Sequence, residues 1–142
     1  MRKIIKQKKM KNLFLFLALL FCCDFSFADW QKIPGASTSD GVHYVDLESL
    51  KLTEDGKWRV WQLINFNVPK QTTNGSLAKS QKIYFEIECS DFKIKVLTGT
   101  TFAGEMGNGE VLGSTKSSGD YNFIAPGSIG SAIATPLCSN LK

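Results

Sequence analysis

The stretch Ile83-Tyr84-Phe85-Glu86-Ile87-Glu88-Cys89-Ser90-Asp91-Phe92-Lys93-Ile94-Lys95-Val96-Leu97 constrains this chain most. Apolar and polar residues alternate on both sides of Ser90-Asp91, the period of two half-buried strands joined as a β-hairpin. With Ser90 and Asp91 as a two-residue turn, Cys89 faces Phe92, Ile87 faces Ile94 and Phe85 faces Val96, all on one side. On the other side Glu88 meets Lys93, Glu86 meets Lys95 and Tyr84 meets Leu97. Apolar and charged pairs match at a single register, and a one-residue slip would turn every side chain to the wrong face. Ser-Asp is a weak turn dipeptide, so a longer turn with a bulge stays open.

Six basic residues precede Asn12, followed by the apolar run Leu13 to Cys23 and then Ser26-Phe27-Ala28. This is the layout of a secretory signal peptide over residues 1–28, cleaved before Asp29. The run is 11 residues long, against the roughly 20 that a membrane-spanning helix needs. Met10 starts a more usual leader than Met1. Phe21 before Cys22, and Cys22 before Cys23, are poor contexts for lipidation, which favours a soluble mature chain. Export then places the protein in the periplasm, outside the cell or at its surface.

Removing the leader changes the electrostatics. Residues 29–142 carry 11 basic and 12 acidic residues, so the formal charge of +4 belongs to the leader. A nucleic-acid partner thereby loses its main support. The remaining 114 residues suffice for one domain with a modest core. Two cysteines remain, Cys89 and Cys138. An even pair in an exported chain reads as a disulfide. Because Cys89 shares parity with Phe85, Ile87, Ile94 and Val96, the bridge is expected to dock the C-terminal segment on that face.

Along the mature chain, Asp29–Ile33 reads as a short strand ended by Pro34-Gly35. Asp40-Gly41 is a turn before Val42–Asp46, and Leu47–Leu50 suits a single helical turn. After Asp55-Gly56 comes the longest strand candidate, Lys57–Asn67. Trp58, Val60, Ile64 and Phe66 share one of its faces, with Trp61 and Leu63 on the other. Pro69–Ser76 reads as a polar loop. Beyond the hairpin, Met106–Glu110 is a Gly-rich turn and Val111–Gly113 a weak strand. Ile129, Ala132, Ile133 and Leu137 recur at helical spacing after Ser128, a plausible N-cap. Pro136 is expected to end or distort that helix one residue earlier.

Chemistry-bearing motifs are sparse. His43 is the sole histidine and no Cys-x-x-Cys occurs, so a metal site is poorly supported. With no nucleophile motif near it, His43 reads as a structural or surface residue. Glu86 and Glu88 could act as a carboxylate pair, but cross-strand ion pairing with Lys95 and Lys93 is the simpler reading. Lys79, Lys82, Lys93 and Lys95 read as a solvated face. Gly104–Gly109 is a hairpin loop without the helix and lysine of a phosphate site. No cofactor and no enzymatic activity are implied.

Several features together resemble the surface-adhesin protein E family. They are Trp30, Tyr44-Val45-Asp46 with Ser49, Asp55-Gly56 before Val60-Trp61, and Lys79-Ser80 before Glu88-Cys89. Ile124-Ala125-Pro126-Gly127-Ser128 before Cys138 completes the set. Tyr121 stands where the family is expected to carry Trp. The resemblance implies an α+β fold, with an antiparallel sheet of about six strands and a short C-terminal helix disulfide-tethered to one face. It also implies binding to host extracellular-matrix proteins such as vitronectin and laminin, and homodimerisation. A soluble periplasmic inhibitor or accessory protein is the alternative that the leader supports. One short helix cannot cover two sheet faces. Trp61, Leu63, Tyr84 and Leu97, opposite the disulfide side by parity, are therefore the candidate protein-binding or dimer face. Cover by the segment Pro69–Lys79, or by the N-terminal segment, is the competing expectation.

Overall fold

The computed structural model describes residues 28–117 and 119–139. The expected signal peptide, with Cys22 and Cys23, falls outside them except for Ala28. Six strands follow one another as an antiparallel meander: β1 (Trp30–Ser37), β2 (Gly41–Leu52), β3 (Trp58–Gln71), β4 (Leu77–Glu88), β5 (Lys93–Phe102) and β6 (Val111–Lys116). A two-residue strand, β7 (Asn122–Phe123), pairs with the start of β5, and helix α1 (Ile129–Ser139) ends the described chain. Among the described residues no helix is long and apolar enough to cross a membrane.

The hairpin register is the one the alternation dictates, with Glu88 opposite Lys93, Ile87 opposite Ile94, Glu86 opposite Lys95 and Phe85 opposite Val96. The turn is longer than two residues, since the strands stop at Glu88 and resume at Lys93, with Phe92 left-handed at φ 51°. The pairing shifts between Tyr84 and Phe85, so Thr98 takes the place opposite Tyr84 that was expected for Leu97. This bulge corrects the position of Leu97.

Three further expectations are corrected. Pro34 does not end β1, because β1 is the sheet's edge, where a missing N–H is tolerated, and a register irregularity absorbs Pro34 and left-handed Gly35. Leu47–Leu50 forms a bulge in β2 rather than a helical turn. There Asp46 Oδ1 accepts the backbone N–H of Glu48 at 3.1 Å and of Ser49 at 3.3 Å, satisfying groups that leave the ladder. Residues 69–71 extend β3 instead of opening a loop. Gly41 is needed at its position, because a Cβ there would lie 2.3 Å from Asn65 O.

Ile133 and Ala134 of α1 share one buried core with Ile33, Ala36, Val60, Ile87 and Ile124, and Ile94, Cys89 and Leu137 pack against it. Val96, at 38% exposed, stays outside that core. Ser128 caps the helix by accepting the N–H of Ser131 at 3.1 Å. Pro136 lies inside the helix rather than beyond its end. The last turn is fixed from outside by the Cys89–Cys138 disulfide, with Cα atoms 5.4 Å apart. That bridge supplies an anchor that a free helix end lacks.

Candidate binding surface

The sheet face turned away from α1 is ordered by strand pairing. Trp30, Asp46, Trp61, Tyr84, Thr98 and Lys116 form one row across six strands, each opposite the next. Trp61 and Tyr84 stack with ring centroids 4.8 Å apart and planes 22° from parallel, and both are partly buried. Such pairs add about 0.5–1.5 kcal/mol beyond their buried area. The backbone of Trp61 is held by the β2 bulge, donating its N–H to Ser49 Oγ at 3.1 Å, while Ser49 Oγ donates to Asp46 O at 2.6 Å.

Of the four residues expected together here, Trp61 and Tyr84 meet, Leu63 shares their side of the sheet but is buried, and Leu97 is moved out of line. Leu97 is displaced by the bulge. Leu63 is fully buried within the chain. The Gly-rich connection between β5 and β6 lies over it, where a Cβ at Gly107 would stand 3.2 Å from Leu63 Cδ1. That loop makes a short 3₁₀ turn at Glu105–Gly107 and lies against β3 and β4. Two side chains bind it. Ser80 Oγ donates to Gly104 O at 2.6 Å and accepts the Gly107 N–H at 2.9 Å. Asn65 Oδ1 accepts the Met106 N–H at 2.8 Å. Beside Leu63, Lys82 Nζ lies 5.6 Å from the Trp30 ring centroid and 5.1 Å from that of Phe102. Gly107 sits left-handed at φ +70°, which favours glycine, and a Cβ there would crowd Leu63 Cδ1 while the flexible end of Lys82 could move aside.

At the far end of the face, Glu86 is buried and bound twice. Arg59 donates to Oε2 from Nε at 2.6 Å, with its NH2 group also 2.6 Å away, and the Tyr121 hydroxyl donates to Oε1. Burial pushes the Glu86 carboxyl up, but the hydrogen bonds from Tyr121 and Arg59 outweigh it, and the net pKa is below the usual carboxylate value. Lys57 and Lys95 place their ammonium groups 5.4 and 5.6 Å from the Tyr121 ring centroid. Glu86 and Glu88 therefore do not pair with Lys95 and Lys93 as expected, because Arg59 reaches Glu86 first and Lys93 pairs with Asp91 at 2.7 Å. Sequence reasoning missed Arg59, Tyr121 and Lys82, whose partners lie on other strands or far along the chain. Among the described residues no group of three or more His, Cys, Asp or Glu could hold a metal ion.

The chain is thus a single antiparallel sheet with one helix disulfide-tied to one side and a partly buried aromatic stack on the other. The sequence model of the surface-adhesin protein E family matches residues 30–139, and the chain belongs to that family. Among solved structures it is similar to protein E from non-typeable Haemophilus influenzae, at TM-score 0.62 and 13% identity, covering 82% of this chain and 80% of that one. A second structure of Haemophilus influenzae protein E gives TM-score 0.60 at 12% identity, with 80% and 86% covered. Crystal form II of the same protein gives 0.56 at 14%, with 69% and 80% covered. At these identities the likeness concerns the fold. No curated protein matches in sequence.

Proposed function

We propose that this protein is an exported, non-enzymatic binding module of the adhesin type. It engages host extracellular-matrix proteins, with vitronectin and laminin the first candidates, through the sheet face opposite α1. Membership of the surface-adhesin family supports the class. The observation that carries the choice of face is the Trp61–Tyr84 stack, which stays partly accessible on the side away from the helix. Interface hot spots are enriched in Trp, Tyr and Arg, and this face offers Trp30, Trp61, Tyr84 and Arg59. Residues 1–28 would serve as a signal peptide, delivering the mature chain to the periplasm and from there to the surface or medium. The same face would also serve a homodimer.

The test is surface plasmon resonance of the exported protein over immobilised vitronectin and laminin, with sedimentation velocity for self-association. Trp61→Ala should weaken binding at least tenfold, the loss of an interface anchor, while keeping the disulfide and a cooperative melt. Absence of matrix binding, with the protein recovered free in the periplasm, would favour the soluble inhibitor or accessory role instead.

A further inference from the structure

Beneath the N-terminal half of α1 lies a cleft of about 360 Å³, on the side of the sheet away from the aromatic stack. Phe85, Ile94, Ile129 and Ile133 give it apolar walls. Three polar residues interrupt that lining: His43 of β2 and Gln62 of β3, only 7% and 3% exposed, and Ser128, whose hydroxyl already serves Ala125 O and the Ser131 N–H. Gln62 Nε2 lies 2.8 Å from His43 Nδ1, and His43 Nε2 lies 3.4 Å from Thr38 Oγ1. With the amide nitrogen donating, Nδ1 accepts and the imidazole carries its proton on Nε2. Burial lowers the His43 pKa against the opposing pull of Asp40, which keeps the ring neutral. Gln62 makes one side-chain hydrogen bond among the described residues, leaving its carbonyl oxygen and second amide hydrogen uncommitted. The Gln62 carbonyl oxygen still reaches solvent, since among the described residues Trp58 Nε1 is the buried side-chain polar atom left without a partner, so a ligand in the cleft can bond it.

We propose that this cleft binds a small, uncharged, largely apolar molecule bearing one hydroxyl or amide group, with the polar end held by the Gln62 carboxamide. The body of the ligand lies against Phe85, Ile94, Ile129 and Ile133. No charged side chain lines the cleft, so an ionised ligand would be desolvated without a counter-charge. The volume is at the lower end of small-molecule sites, about 300–1,000 Å³, and suits one ring or a short chain. Gly130 forms part of the wall. A Cβ there would stand 3.5 Å from Ile124 Cγ2 and 3.9 Å from Ile94 Cδ1, in contact without clash, so a longer side chain would fill the space.

The experiment titrates p-cresol and its hydroxyl-free analogue toluene into the exported protein, following the Gln62 side-chain amide and isoleucine methyl signals by NMR. p-Cresol should shift Gln62, Ile94 and Ile133 and bind more tightly than toluene. Gln62→Leu should lower p-cresol affinity about tenfold and leave toluene unchanged, the discrimination expected of one buried hydrogen-bonding group. Gly130→Leu should abolish binding of both. Equal affinity of the parent for the two compounds, shifts clustered around Ile33 and Pro136, or an unmoved Gln62 amide would each overturn the proposal. Should Gln62→Leu fail to fold, the parent's p-cresol to toluene ratio and Gly130→Leu decide the matter.

Discussion

Replacing Ser80 with alanine isolates the latch that hides Leu63. The Ser80 side chain is fully buried, and its hydroxyl serves two backbone groups at once, Gly104 O at 2.6 Å and Gly107 N–H at 2.9 Å. Alanine abandons both. Each backbone group left unpaired and shut from water costs about 1–3 kcal/mol. Both glycines are half-exposed, so water recovers part of that, and the total comes to about 2 kcal/mol. In a domain of this size such a loss lowers Tm by roughly 10 °C. The Met106 N–H bond to Asn65 survives the substitution, so the loop loosens without leaving, and exchange of the Gly107 amide should accelerate. Urea denaturation and native-state hydrogen exchange read the two effects. A loss below about 0.5 kcal/mol with unchanged Gly107 exchange would mean that the hydroxyl is no latch and that Leu63 is buried for another reason.

Replacing Cys89 and Cys138 with serine should cost on the order of 2–5 kcal/mol by denaturant unfolding, because the bridge closes a separation of 49 residues. Thiol titration of the unfolded parent protein should find neither cysteine free. Gly107→Ala should destabilise by about 1 kcal/mol, since it puts a side chain on a left-handed backbone and against Leu63 Cδ1. An unchanged melting midpoint would show that the loop lifts off without penalty. Both His43 and Glu86 have pKa values lowered by folding, so both favour the fold at higher pH and lose that contribution as pH falls. Stability should decline below about pH 6.5 through His43, and again below the usual carboxylate range through Glu86. Melts across pH with Glu86→Gln should lack the second decline, and retention of it would place the acid sensitivity elsewhere.

How much of this was legible beforehand depended on whether a pattern was local. The hairpin register could be read because apolar and charged alternation agree over Ile83–Val96, leaving one pairing that satisfies both. Ser128 was readable as a cap, and Cys89 with Cys138 as a bridge by elimination. Trp61 and Tyr84 could be placed by parity alone. Leu97 could not, since one extra residue in β5 reverses parity beyond it. Nor could the ion pairs, because Glu86 has neighbours on two strands and Tyr121 reaches it across 35 residues of sequence. Gln62 did leave a signal, a polar residue on the parity of Val60, and that signal marks the cleft under the helix. Several of the residues that carry the family resemblance have structural roles. Asp46 and Ser49 build the bulge behind Trp61, Ser80 holds the loop, and Ser128 starts the helix. They hold the backbone around the Trp61–Tyr84 stack, the loop over Leu63 and the start of the helix.

Hydroxyl-radical footprinting of the exported protein, free and saturated with vitronectin or laminin, tests the central claim most directly. Oxidation of Trp61 and Tyr84, partly accessible in the free chain, should fall at least several-fold in the complex, the shielding expected of anchors in an interface core. Phe123, 77% exposed at β7, should oxidise as before. Protection confined to Phe123 and the exposed side of α1, with Trp61 and Tyr84 unchanged, would place the binding surface elsewhere and contradict the account.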